Sequence, residues 1–194
     1  MKEKLENIFN DDSIRISKFL SLILRHSPQT IHLNMDSNGW VNIDEIIHNA
    51  KKYKNIILTL DLIKIIVENN DKKRFKIFED EKKIRASQGH SIKVNLNLEN
   101  KPPPDVLYHG TANRFLESIM ENGIEQMNRQ YVHLSQSKEI ALTVGKRHGK
   151  PIVLVIDAKN MLKDGYKFYL SENNIWLTDK VPVKYIKPLN EELK

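Results

Sequence analysis

Apolar residues recur at Ile16, Phe19, Leu20, Ile23 and Leu24 with the three- and four-residue spacing of one helical face. They predict a helix from about Ile14 to Arg25, capped at Asp12-Ser13, with Pro28 blocking much further continuation. Asp36-Ser37-Asn38-Gly39 reads as a turn, and Trp40-Val41-Asn42-Ile43 as a short strand. Asp44 can cap a second helix through Ala50. Thr59 or Asp61 opens a third, with Leu62, Ile63, Ile66 and Val67 as its apolar face. Arg74-Phe75-Lys76-Ile77-Phe78 then alternates as a strand should, Glu79 to Lys82 turn the chain, and Ile84-Arg85-Ala86 returns it as a hairpin. Three helices followed by a hairpin suggest a winged-helix arrangement.

Lys101-Pro102-Pro103-Pro104-Asp105 interrupts this pattern. Three consecutive prolines continue neither a helix nor a central strand and form a stiff connector. They divide the chain into lobes 1–101 and 102–194. In the second lobe, Val106 to His109 and Tyr131 to Ser135 read as strands, and Pro151 to Ile156 as a buried one. Further strands are expected around Phe168 to Leu170 and Ile175 to Leu177. A helix is expected from about Asn113 to Glu121, stopped by Asn122-Gly123; Ser137 caps another through Lys146, and a short one lies near Met161. The expected class is α+β.

Composition narrows the chemistry. The 194 residues include no cysteine, so disulfides, thiolate nucleophiles and cysteine-based zinc sites are excluded. The net charge of +6 and a pI near 9.3 favour a polyanionic partner. Aromatic content is 7%, which argues against a base-stacking sheet. No apolar run approaches the ~20 residues needed to cross a bilayer, and Met1 to Asp12 has no apolar leader core. A cytoplasmic protein is expected by default.

Several short constellations could act on a ligand. Arg25-His26 closes the first helix, where the negative end of the dipole favours both cations; the pair is either that charge pair alone or a phosphate-binding arginine beside an acid/base group. Arg74 precedes Phe75 on the opposite strand face. Arg85-Ala86-Ser87-Gln88-Gly89-His90-Ser91 surrounds a glycine with small and polar residues, which suits close backbone approach to a ligand or a plain hairpin exit. Tyr108-His109-Gly110-Thr111 places a histidine able to bond a ribose hydroxyl beside a glycine whose backbone can approach an amide. Arg129 stands before the strand that carries His133 and Ser135. No histidine pair at helical metal-ligand spacing occurs, and neither the Walker A nor the dinucleotide-binding glycine pattern is present.

Taken in order, these segments resemble one family, the NAD-dependent RNA 2′-phosphotransferases, the Tpt1/KptA proteins. Ser17-Lys18-Phe19-Leu20-Ser21 leads to Leu24-Arg25-His26, then Gly39-Trp40-Val41, Asp71-Lys72-Lys73-Arg74-Phe75 and Arg85-Ala86 with Gln88-Gly89-His90-Ser91. Leu107 to Thr111, Tyr131 to Ser135 and Asn174 to Thr178 follow, so the likeness runs from about residue 14 to 186. It implies a winged-helix-like N-terminal lobe and an ADP-ribosyltransferase-like C-terminal lobe. It implies removal of an internal 2′-phosphate from RNA, such as spliced tRNA, by transfer to NAD through an ADP-ribosylated RNA intermediate. The products would be 2′-hydroxyl RNA, nicotinamide and ADP-ribose 1″,2″-cyclic phosphate. By motif the catalytic set falls on Arg25, His26, Arg74 and Arg129, with Arg85 the alternative to Arg74. NAD would be held by His109 and His133, supported by Gly110, Thr111 and Ser135 and by Gln88, His90 and Ser91. No metal is implied, and a monomer suffices.

Two other readings share parts of this pattern. One is an ADP-ribosyltransferase that modifies a terminal phosphate without removing it. The other is a non-catalytic winged-helix nucleic-acid binder; Arg74, His109 and Arg129, far from any recognition helix, count against it.

Overall fold

The first helix, α1 (Lys2–Arg25), is twice as long as its apolar stripe requires. The computed structural model describes residues 2–189, with side chains described from residue 12 onward. The expected cap at Asp12-Ser13 therefore lies inside the helix. Polar residues there cost only tenths of a kcal/mol each in propensity, and Asp12 pairs with Arg15 one turn on at 3.1 Å.

The chain divides between Asn97 and Leu98 into two compact units. In the first, β1 (Val41–Asn42) leads directly into α2 (Ile43–Lys54). The cap is Asn42 rather than Asp44: its side chain accepts from the backbone N–H groups of Asp44 and Glu45 at 2.8 and 3.2 Å. Asn55, in the left-handed region at φ 53°, ends α2 four residues beyond Ala50. Thr59 caps α3 (Leu60–Glu68) through the Leu62 N–H. Strands β2 (Phe75–Ile77) and β3 (Lys83–Ala86) form the expected hairpin, and β1 joins it in a three-stranded antiparallel sheet of order β1-β3-β2. Leu20, Ile23 and Leu24 of α1 are fully buried with Ile46, Ile63 and Ile84 from α2, α3 and β3. Each such side chain contributes roughly 1.5–3 kcal/mol on leaving water.

The second unit is built on β4 (Val106–Ala112), which runs three residues further than the sequence predicts and so includes Gly110 and Thr111. A single 3-10 turn precedes α4 (Leu116–Asn122), which Gly123 ends. Then follow β5 (Ile124–Glu125), β6 (Val132–Leu134), α5 (Lys138–Gly145), β7 (Pro151–Asp157) and α6 (Ala158–Lys163). Ser137 caps α5 through the Ile140 N–H at 3.2 Å. The chain closes with β8 (Tyr169–Leu170), β9 (Trp176–Thr178), β10 (Lys180–Val181) and β11 (Ile186–Pro188). The antiparallel sheets are β11-β7-β4, β6-β9-β8 and the pair β10-β5. Strands β5, β10 and β11 have no counterpart in the sequence reading, being two or three residues long. Leu107, Leu134, Leu154, Ile156, Met161 and Phe168 form the buried centre of this unit. Both units thus mix helices with small antiparallel sheets, an α+β class. Among the described residues, no helix is long and apolar enough to cross a membrane.

Candidate active site

In the first unit, three separate segments bring basic groups together. Arg25 is the last residue of α1 and is 9% exposed. One of its guanidinium nitrogens, Nη2, donates to the Arg74 carbonyl at 3.4 Å. Arg74 precedes β2, and its own guanidinium donates to Asn70 Oδ1 at 3.4 Å. That amide is buried at the end of α3 and also reaches Ser17 on α1. His26 follows Arg25, and its Nδ1 lies 2.9 Å from the Ser91 hydroxyl. The Ser91 N–H donates to the Arg25 carbonyl at 2.9 Å. Gly89, at φ +87°, permits the turn that carries the chain from β3 to this contact.

His90 lies within this group, 1% exposed. Burial lowers its pKa from 6.5 to about 4, helped by the nearby charges of Arg25, His26 and Arg85. Its Nε2 is buried without a hydrogen-bond partner. Arg25, His26 and Arg85 all lie near enough to oppose a positive charge on His90, and such basic company suits an anion. Arg85 is also buried; it lies over the Trp40 ring at 4.5 Å and donates to the Asn38 carbonyl at 3.5 Å. Gln88 is half-buried.

The depressed pKa of His90 has a consequence for stability. The folded protein keeps His90 neutral down to about pH 4, whereas the unfolded chain takes up the proton near pH 6.5. Stability is complete above 6.5 and is lost as pH falls toward 4, by about 3 kcal/mol in all. In urea unfolding between pH 7 and 4, His90→Asn should show a shallower fall than the wild type. Parallel curves would contradict the neutral assignment.

The second unit brings together a different set. His109 on β4 donates through Nδ1 to the His133 carbonyl on β6 at 3.1 Å. This fixes the tautomer, with Nε2 left as the acceptor. Burial lowers the His109 pKa, partly opposed by this bond, so the ring is held neutral. Tyr108 and Ser135 exchange two backbone hydrogen bonds of 2.8 Å, which lock β4 to the residue after β6. Thr111 and Ser135 are 7% and 8% exposed, and Ser135 Oγ accepts from the Ser137 N–H. Gly110 has a structural reason for being glycine: a Cβ there would lie 1.7 Å from the Ala141 carbonyl oxygen of α5. Arg129 is exposed in the turn before β6, its N–H donating to the Gln126 carbonyl.

Of the sequence-predicted residues, Arg25, His26, Arg74, Gln88, His90 and Ser91 thus belong to the first unit. His109, Gly110, Thr111, Arg129, His133 and Ser135 belong to the second. Asn70 was missed, although it anchors Arg74; an asparagine two residues past the end of α3 carries no local signal of that partnership. Among the described residues, no group of three or more His, Asp or Glu is placed to hold a metal ion.

Comparison with known proteins adds the family. The family described as "RNA 2'-phosphotransferase, Tpt1 / KptA family" matches residues 11–180. The chain belongs to this family. A relative in Flavobacterium johnsoniae, named "Probable RNA 2'-phosphotransferase", is 56% identical over 172 residues, which cover 89% of this chain and 94% of that one. A relative of the same name in Fusobacterium nucleatum is 53% identical over 178 residues, covering 91% and 99%. The match spans the three basic segments of the first unit and the two histidine-bearing strands of the second.

Proposed function

We propose that the protein removes an internal 2′-phosphate from RNA, such as spliced tRNA, by transferring it to NAD. The observation that carries this reading is the approach of Arg25, His26 and Arg74 to one another from α1 and the segment before β2. Family membership supplies the reaction class.

Arg25 and Arg74 present planar forks to the phosphate oxygens, and the family resemblance assigns Arg129 to the same catalytic role. A phosphate oxygen then bonds to the anomeric carbon of the nicotinamide ribose, the glycosidic C–N bond breaks, and nicotinamide leaves. In the second step the ribose 2″-hydroxyl attacks phosphorus and the bond to the RNA 2′-oxygen breaks. The proton passes from the attacking hydroxyl to that oxygen by way of His26. Ser91 at Nδ1 orients the ring and leaves Nε2 for this transfer. The arginines offset charge building on the transferring phosphoryl group, as cations do in phosphoryl transfer generally.

The residues of the second unit suit NAD as the co-substrate. His109 Nε2 is an acceptor for a ribose hydroxyl because Nδ1 is engaged by the His133 carbonyl. Gly110 and Thr111 follow it on β4, and the neighbouring segment carries His133 on β6 and Ser135 just after it. The family resemblance also assigns Gln88, His90 and Ser91 of the first unit a part in NAD binding; His90, only 1% exposed, acts through its neighbours Arg25 and His26. Three helices and a three-stranded sheet support a winged-helix-like reading of the first lobe (1–101). The small antiparallel sheets of the second (102–194) fit an ADP-ribosyltransferase-like one. The protein would act as a cytoplasmic monomer. The test is whether 2′-phosphate removal requires NAD: with NAD omitted no phosphate should leave the RNA, and NAD-independent removal would refute the reading.

A further inference from the structure

A groove of about 760 Å³ lies in the first unit between α1 and α3. His26 and Arg74 are part of its lining, so it is continuous with the basic cluster. Ser17, Lys18 and Ser21 line it from α1, and Asn70 and Lys72 from the other side. Ile14, Leu22 and Ile65 give it apolar walls and are exposed. One carboxylate, Asp71, also lines it.

An internal 2′-phosphate sits on a strand that continues past it, and the neighbouring nucleotides need a path away from the reacting group. Lys18 precedes His26 by eight residues, roughly 12 Å along a helix. Its exposed ammonium is thus set beyond the reacting nucleotide. Cations spaced along a groove with apolar walls match single-stranded RNA, whose phosphates take the charge and whose bases take the apolar surface. Asp71 biases the backbone toward the α1 side, where Lys18 stands.

We propose that this groove holds the RNA strand adjoining the 2′-phosphorylated nucleotide, with Lys18 binding a backbone phosphate. The proposal rests on the reading of the protein as an RNA 2′-phosphotransferase.

The experiment compares KM for 2′-phosphorylated oligoribonucleotides lengthened from a dinucleotide to a decamer, in wild type, Lys18→Glu and Lys51→Glu. Wild-type KM should fall with length, and Lys18→Glu should erase most of that gain, roughly tenfold, while lowering the salt dependence by about one phosphate contact. Lys51→Glu, an exposed change on α2 outside the groove, should keep the gain. A length gain preserved in Lys18→Glu, or absent in the wild type, overturns the proposal. So does a concentration-dependent dimer abolished by Ile14→Glu, which would make the groove a contact between copies of the chain. Anisotropy of labelled decamer without NAD gives the same comparison independently of turnover. A Lys18 effect on binding without any phosphate removal would keep the groove and overturn the reaction instead.

Discussion

Arg25→Ala should lower kcat on a 2′-phosphorylated oligoribonucleotide by roughly 10²–10³-fold, the usual cost of removing one preorganised donor from developing charge. Arg25 ends α1 with its backbone carbonyl tied to Ser91 and its guanidinium on the Arg74 carbonyl. In the proposed reaction it would therefore meet the phosphate without having to be ordered first. Arg25→Lys separates charge from shape: a lysine keeps the cation but loses the fork, so kcat should remain depressed. Full activity in Arg25→Lys would reduce the role of Arg25 to charge alone. Arg74→Ala should act in the same way, since Asn70 holds its guanidinium beside His26 in the groove. Arg85 is differently placed: it is buried over the Trp40 ring and donates to the Asn38 carbonyl. Near-normal turnover in Arg74→Ala, with loss in Arg85→Ala, would transfer the role to Arg85. Circular dichroism of each variant separates loss of function from loss of fold.

His26→Ala should slow the second step more than the first. Expulsion of nicotinamide needs no proton from the protein, because the leaving group departs as a neutral ring. In the proposed mechanism, attack by the ribose 2″-hydroxyl does need one moved, and His26, hydrogen-bonded to Ser91, is the group assigned to move it. A positioned acid/base group typically contributes 10²–10⁴-fold, so the second step should fall by about that factor. ADP-ribosylated RNA should then accumulate in single-turnover reactions resolved by denaturing gel. Equal slowing of both steps would contradict the assignment and leave His26 as a phosphate ligand only.

Sequence reasoning found the side-chain caps of α3 and α5 but placed that of α2 two residues late, at Asp44 instead of Asn42. Thr59 and Ser137 accept N–H groups in the first turns of α3 and α5, a local effect visible in order along the chain. It failed at the start of α1, because capping residues can also sit inside a helix whose buried face is strong enough. It missed β5, β10 and β11 because two or three residues cannot show an alternating pattern and take their shape from a distant partner. The site was legible as separate motifs. What was not legible was their mutual support: Asn70 behind Arg74, Ser91 on His26, and His90 held neutral by burial beside Arg25, His26 and Arg85. Gly110 shows the same limit. Its motif suggested close approach to a ligand, while the structure uses the missing side chain to seat α5 on β4.

The most direct test of the proposed reaction is the stoichiometry of its products. The protein, NAD and an oligoribonucleotide carrying one internal 2′-phosphate should yield one nicotinamide and one ADP-ribose cyclic phosphate for each 2′-hydroxyl RNA formed, as followed by mass spectrometry. Nicotinamide release with the phosphate still attached to the RNA would contradict it and indicate an ADP-ribosyltransferase that stops after the first step.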